Sequence, residues 1–523
     1  MLYDKAEISK EEIIMKNSKL KKLTALTVTL LIIVSVFCSC SLKKTDLSAA
    51  ESDSTGTGNE AVVSLLNDSQ VTPDTQSGNT IILEGETATV NGNGAEVKDG
   101  TVTITAGGTY TVSGTLKDGR IIVDADGEEV IIVFSNASIS CSYSSPLYIY
   151  KASKATVYLA EGTKNTLTDS ASYSYGDSFS SQTDEEPNSA LYSKTDLVIA
   201  GSGELTVNAN FNNGITSKDT LRIENATLTV NAKNHGINGK DNLEVRNANI
   251  TVTCSGDALR STNDTDSSLG YIIIANSDLT LNSGEDGIQA QTYLTISNSD
   301  VTVTSGGGSG TSLNSEVSAK GLKAETDITL EGGSFKLDCC DDAVHAGQNI
   351  TIQSGEFTVS TGDDAIHADN TVTINGGDMT LECHEGIEAT VIVINGGKTV
   401  INASDDGINA AQKVSGITPR VEINSGEITI TMGQGDTDGI DSNGDIIING
   451  GTLSVTGQFP FDYDGTASVN GGTVYANGEK VTELQNQFAG GMSGGGQMQG
   501  EPPAGRGQMP DGQKGAVPPG GKR

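Results

Sequence analysis

The chain has no tryptophan, only 4% aromatic residues and just 10 prolines in 523 positions. Without tryptophan and with few rings, a flat stacking platform is a poor basis for ligand binding. Positive charge is also scarce: 32 lysines and arginines stand against 67 acids, a formal net charge of −35. This excludes nucleic acid as a partner, because phosphate binding needs a basic surface, and it points instead to cations. Cysteines are few and irregularly spaced: beyond Cys38 and Cys40 they are Cys141, Cys254, Cys339, Cys340 and Cys383. An odd set without a regular framework argues against a disulfide scaffold. No helix pattern of useful length follows residue 37. What the chain has in quantity is glycine, 64 residues, and much of it recurs at a fixed interval.

Lys16, Lys19, Lys21 and Lys22 precede an apolar run from Leu23 to Phe37. Together they read as the basic and apolar regions of a secretory signal, the run being short for a spanning helix. Residues 1–14 fit no such signal, and translation is expected to start at Met15. The segment ends in Val36-Phe37-Cys38-Ser39-Cys40. It resembles a bacterial lipobox, with Phe37 departing from the small or aliphatic residue usual there. The resemblance implies a lipid anchor on Cys40 and a surface-anchored or secreted protein. Residues 1–39 are thus expected to be a signal, 40–80 a flexible Ser/Thr/Asp/Gly-rich tether, 81–484 one repeat domain, and 485–523 a disordered Gly/Pro/Met/Gln-rich tail.

The repeat is marked by a small residue before an aliphatic one. It falls at Gly214, Gly236, Ala258, Gly287, Gly321, Ala343, Ala365, Gly386, Gly407 and Gly439, at spacings of 21 or 22 broken by insertions. Each unit holds three short runs with β-branched residues at alternate positions, such as Ala365–Ala368, Thr371–Ile374 and Asp378–Glu382. Turn chemistry separates the second and third runs. No single unit can bury its apolar face, whereas stacked units can. The expected fold is therefore all-β: a right-handed single-stranded parallel β-helix, a solenoid with three short strands per coil of about 22 residues. It would carry an interior aliphatic ladder through Ile215, Ile366 and Ile440, and a turn ladder through Asn375, Asn395, Asn424, Asn449 and Asn470.

In the first strand the aliphatic points inward, so both of its neighbours are expected on the outer surface. The small residue and a varied polar column (Arg260, Lys323, His345, His367, Glu388, Asp441) would then form a shallow groove, extended by Tyr192. Just before the small residue stand acids: Asp341-Asp342, Asp363-Asp364, Glu385, Asp405-Asp406 and Asp438. For any one of them, turn chemistry and solubility suffice as an explanation. Stacked at the strand spacing, however, neighbouring carboxylates repel by about 3 kcal/mol at an effective dielectric near 20. A hard dication relieves this, and calcium takes about 6–8 oxygen ligands. Asp341, Asp342, Asp363, Asp364, Glu385, Asp405, Asp406, Asp436, Asp438 and Asp441 are therefore the expected Ca2+ ligands. Zinc is disfavoured, because His345 and His367 would need convergent nitrogen or sulfur ligands and the cysteines face the core. Tyr192, Arg260, Lys323, His345, His367 and Glu388 are the expected sugar contacts.

These repeats, with the segment from Gly107 to Leu167 and the glycine-rich tail, resemble the secreted clostridial β-helix proteins of a carbohydrate-binding domain family over roughly residues 81–480. The resemblance implies a calcium-binding right-handed parallel β-helix, similar to pectate lyases, that binds plant cell-wall polysaccharides such as cellulose and acidic pectin (polygalacturonate). Calcium-dependent lyases of that fold use an Asp-Asp-Gly-x-Asp cluster and a lysine base. Asp436, Asp438 and Asp441 come nearest, with Thr437 replacing one acid, and Lys323 lies about five coils or roughly 24 Å away at the strand spacing. That reach is too long for proton abstraction there. The expected function is non-catalytic binding; the alternatives are a calcium-dependent lyase and an adhesin or spacer.

Overall fold

The computed structural model describes residues 57–68, 70–73, 78–174, 187–312, 317–435 and 437–486. The expected signal, the Met15 start, Cys40, most of the tether, Asp436 and the tail beyond residue 486 lie outside the described residues.

Alternating polar and apolar residues make strands with one buried face. In Asp278–Ser283, Leu279, Leu281 and Ser283 are buried while Asp278, Thr280 and Asn282 are exposed. Each such strand pairs in parallel with its counterpart one repeat away, so Leu228, Ile250, Leu279 and Val301 lie opposite one another in succession. The first strands of the repeats build a sheet of 16 strands, and the second and third belong to one of 28. The first-strand aliphatics Ile215, Ile237, Leu259, Ile288, Leu322, Val344, Ile366, Ile387, Ile408 and Ile440 pair in register, each at most 1% exposed. They belong to a single apolar core running from Ile81 to Leu484.

The larger sheet corrects the expected fold. From the long strand Glu129–Cys141, one series of parallel strands runs through Lys154–Leu159 and Leu197–Ala200 to Tyr271–Ala275. A second series runs through Lys164–Asp169 and Glu204–Ala209 to Asp278–Ser283. Both rejoin at the long strand Leu294–Ser305. The pairing thus closes into a parallel β-barrel of 12 strands, with further strands outside it. The expectation of a single-stranded right-handed parallel β-helix, a solenoid with three separate short strands per coil, is therefore overturned. The physical cause lies in the turns between the second and third runs. Asn136 and Asn298, at φ 58° and 46°, take up left-handed backbone inside continuous strands instead of ending them. Gly332 and Gly333 do the same within Asp327–Cys339, where the register shifts.

Antiparallel hairpins finish the sheet edges: Asn79–Gly85 with Ala88–Asn91, Ala95–Lys98 with Thr101–Ile104, and Thr473–Ala476 with Glu479–Val481. Such caps deny an open edge to another chain. The turn amides do form a ladder. Asn395 Nδ2 donates to Asn375 Oδ1 at 2.8 Å, and Asn424, Asn449 and Asn470 continue it at 2.8–2.9 Å. The five described cysteines are free, and burial pushes the thiols of Cys254, Cys339 and Cys383 up to about 12, as suits small apolar fillers.

A helix, α1 (Thr57–Asn67), occupies part of the stretch expected to be a tether. Val62 and Leu65 pack on Ile273 and Ala275. Arg246, 1% exposed, donates to the carbonyl oxygens of Leu65 and Asp68 at the helix C-terminus, and its Nε donates to Glu224 Oε2 at 3.0 Å. A cation on the last carbonyls complements the helix dipole.

The small column does not face outward. Ala258, Ala343 and Ala365 are 0% exposed, and a Cβ on Gly407 would lie 2.5 Å from Gly439 O and 2.4 Å from Ile430 Cγ2. The repeats approach too closely there for a groove, so the open face is made by the acids and the varied polar column alone. A test is Gly386→Ala, whose new Cβ would sit 2.1 Å from Gly407 O. It is expected to lower stability by about 1–3 kcal/mol. Gly310→Ala, with nothing within 4 Å, should stay within about 0.5 kcal/mol. Urea unfolding that ranks the two equally refutes the close approach.

Candidate functional site

The parallel register fixes where the acids stand. The amide of the small residue in each repeat donates to the carbonyl of the residue before the small position in the next: Gly236 to Asp257, Ala258 to Asp286, Gly287 to Lys320, Gly321 to Asp342, Ala343 to Asp364, Ala365 to Glu385, Gly386 to Asp406 and Gly407 to Asp438, at 2.8–3.0 Å. The acids therefore form one column along the edge of the smaller sheet.

A carboxylate has two oxygens, and the fold uses them differently. One accepts from the next repeat's main chain: Asp257 Oδ1 from the Asp286 amide at 3.1 Å, Asp286 Oδ1 from Lys320 at 2.8 Å, Asp342 Oδ1 from Asp364 at 3.2 Å, and Asp406 Oδ1 from Asp438 at 2.9 Å. Where the second oxygen finds a basic side chain, that side chain commonly stands three residues on. Asp257 Oδ2 meets Arg260 Nη1 at 3.1 Å, Asp342 Oδ2 meets His345 Nδ1 at 2.8 Å, and Asp364 Oδ2 meets His367 Nδ1 at 2.6 Å. Lys320 Nζ lies 2.7 Å from both Asp341 and Asp342. Glu388 receives His367 Nδ1 at 3.1 Å and Lys413 Nζ at 2.8 Å. Lys323 Nζ stands 3.4 Å from Asp286 Oδ2.

The column thus has two halves. In the first, cations interleave with acids. Burial opposes ionisation of Asp342, but the His345 hydrogen bond and Lys320 outweigh it and hold that carboxyl well below the usual range. Burial also works against the Lys320 charge, yet Asp342 and Asp341 keep its proton held more tightly than usual. In the second half, cations thin out. Burial, then Asp364 across the column, pushes Glu385 up to about 7. Burial, then Asp406 and Asp462, pushes Asp441 up to about 6, and burial raises Asp406 as well. Ligand atoms of His384, Glu385 and Asp405 lie within 4.8 Å of one another, as do those of Asp341, Asp342 and Asp363. Beside Asp406 and Asp438, the side-chain oxygens Asn409 Oδ1 and Thr437 Oγ1 are buried without a hydrogen-bond partner among the described residues. Orphaned acceptors in an all-oxygen surround fit a hard cation.

The varied column is in register from Thr216 through Asn238, Arg260, Gln289, Lys323, His345, His367, Glu388, Asn409 and Asp441 to Asp462. Arg260, Lys323, His345 and His367 keep part of their surface exposed, whereas Glu388 is buried at 6%. Tyr192 pairs into the same sheet but is 1% exposed, its ring 5.8 Å from that of Tyr148, so it offers a sugar almost no surface. Lys320, Lys413 and His235 were not among the expected site residues. Lys320 and His235 occupy the acid position itself, directly before Gly321 and Gly236, so the repeat spacing could have found them. Lys413 comes from an insertion outside the period and had no such signal.

A family model described as "Carbohydrate-binding domain-containing protein" matches residues 98–365 and 346–384. A protein of Acetivibrio thermocellus with the same description is 43% identical over 143 residues, which are 27% of this chain and 49% of that relative. The matched part thus spans about half the relative's length. Among solved structures, the gadolinium derivative of the polysaccharide lyase-like protein from C. thermocellum is 32% identical, with a TM-score of 0.42 over 49% of this chain and 96% of that one.

Individual acids of the column respond to pH in opposite ways. Asp342, held low, supports the fold above the ordinary carboxylate range and loses that support as pH falls below about 4. Glu385 and Asp441, held high, bind more protons folded than unfolded between about 4 and their raised values near 7 and 6. Stability of the chelator-treated chain is therefore expected to fall as pH rises through that window. Thermal melts from pH 4.5 to 7.5 check this, and Glu385→Gln should flatten the slope. A melting temperature that climbs across the window contradicts the assignment.

Proposed function

Because the chain belongs to the family of carbohydrate-binding domain-containing proteins, we propose that the face formed by its acid column and varied polar column binds an acidic polysaccharide, such as polygalacturonate, without cleaving it. The observation that carries this reading is the unbroken register of hydrogen-bonding side chains from Thr216 to Asp462. A polymer repeats the same hydroxyls and carboxylates along its length, and a surface that repeats at the strand spacing can answer them one after another. Arg260, Lys323, His345 and His367 are the cationic or hydrogen-bonding contacts.

Glu385, Asp405, Asp406, Asp438 and Asp441 would hold a hard dication such as calcium, which would supply the positive charge that a uronate needs on a chain of net charge −35. The absence of tryptophan makes a neutral, stacking-dependent polymer such as cellulose the weaker fit. Binding rather than cleavage fits the lysines. Lys320 is held protonated between two aspartates, and Lys323 is drawn to Asp286. Neither stands as a free base ready to take a sugar proton. A polysaccharide partner also agrees with an exported, surface-held chain.

Co-sedimentation with insoluble polygalacturonate and with cellulose, in millimolar calcium and in chelator, tests this reading. Retention on polygalacturonate is expected with calcium, falling about tenfold or more in chelator or in Asp406→Asn/Asp441→Asn. No ultraviolet-absorbing unsaturated product should accumulate. Chelator-insensitive retention removes the dication from the reading, and product formation removes the restriction to binding.

A further inference from the structure

All 4 histidines of the chain, His235, His345, His367 and His384, stand in or beside the acid column. A residue that merely decorates a surface has no reason to collect on one edge of one sheet. Two of them form a unit: His345 pairs in register with His367, and the ring centroids are 4.8 Å apart at 38°. The register gathers carboxylates around both imidazoles. One ligand atom each from Asp342, His345 and His367 lies within 4.8 Å of the other two, and the same holds for Asp364, His367 and Glu388.

We propose that His345, His367 and Asp342 form a binding site for a borderline transition-metal dication of the zinc class, with Asp364 beside it. The chemistry of the donors sets it apart from the carboxylates around Asp406 and Asp441. Calcium takes hard oxygen ligands, whereas paired imidazoles favour zinc, copper, nickel or cobalt. The geometry lies within reach. Ligand atoms around a tetrahedral zinc at bond lengths near 2.1 Å are about 3.4 Å apart, so modest side-chain closure suffices. The frame is rigid. Asp342 and Asp364 are 3% and 6% exposed, and Asp342 Oδ1 is fixed by the Asp364 amide at 3.2 Å. Asp342 already stands 2.8 Å from His345 Nδ1, and the His367 ring is aimed by Asp364 at 2.6 Å. Orienting carboxylates of this kind commonly support metal-binding imidazoles. Charge also permits it. Among the described residues, Asp341, Asp342, Asp364 and Glu388 share Lys320 and Lys413 as permanent cations, which leaves two carboxylate charges for a dication to offset. The site does not depend on the carbohydrate reading.

The test uses the full chain freed of metal by chelator and titrated with Co2+, then with Zn2+ in competition. The expected result is uptake of one Co2+ with the strong visible absorption of a four-coordinate ion, displaced by Zn2+ and retained in millimolar calcium. His345→Gln and His367→Gln should each weaken it about tenfold or more, while Asp441→Asn stays within about twofold. Wild-type chain that gives no four-coordinate spectrum overturns the proposal without reference to any variant. So does displacement of Co2+ by calcium, or wild-type affinity in either histidine variant.

Discussion

Register is the constraint on which the rest of the molecule depends. Once a strand pairs in parallel with its counterpart one repeat away, every sequence position becomes a column, and whatever is chosen at that position is set against copies of itself. Apolar positions gain from this: the ladder from Ile215 to Ile440 is sealed to at most 1% exposure. Amides gain as well, since each asparagine side chain can donate to the one below and accept from the one above, as Asn375 to Asn470 do. Carboxylates lose, because each new repeat adds a like charge at the strand spacing, at a cost of about 3 kcal/mol per neighbouring pair in a medium of effective dielectric 20.

The chain resolves that conflict locally. Splitting the duties of Asp257, Asp286, Asp342 and Asp406, one oxygen to a main-chain amide and the other outward, makes these acids part of the scaffold before they are part of any site. The amide bonds explain why aspartate recurs before the small residue even where no ligand is needed. The outward oxygen is then free to be answered differently in each repeat: by Arg260, by Lys320 with His345, by His367. Toward Asp441 the cations run out, and burial lifts Glu385 and Asp441 to about 7 and 6. A face built from one repeated residue thus becomes a gradient from internally neutralised to charge-hungry.

Much of this was legible in the sequence because columns are written as a period. The aliphatic ladder, the asparagine ladder and the acid column follow from spacing alone, and all three stand as chemistry would have them. The closure of the larger sheet was not legible. An asparagine in left-handed backbone at a turn and one inside a bulged strand look identical in a sequence, and only pairing on both sides tells Asn298 in Leu294–Ser305 from a strand-ending turn. The small column was misread for a related reason. Alternation placed it outward, but the tight bend at the acid carries Ala343 and Ala365 against the carbonyls of the next repeat. Helix α1 escaped because its signal is only Val62 and Leu65, and its partners Ile273, Ala275 and Arg246 lie in another part of the chain.

The same logic of columns gives successive levels of one face different chemistry. An insertion resets the interval between repeats without resetting the register, so residues at 320, 342 and 364 remain stacked although the loop before Lys320 is long. A lysine placed in the acid column therefore neutralises its neighbours permanently. A histidine placed three residues later can hold a proton or a metal in the same space. Further on, toward Asp441, carboxylates outnumber the basic side chains, and burial raises Glu385 and Asp441 instead. Substituting the residue three positions on changes the chemistry at that level while Asp257, Asp286, Asp342 or Asp406 keeps its amide bond to the next repeat. That independence of site chemistry from backbone architecture is what allows a monotonous sequence to carry a varied surface.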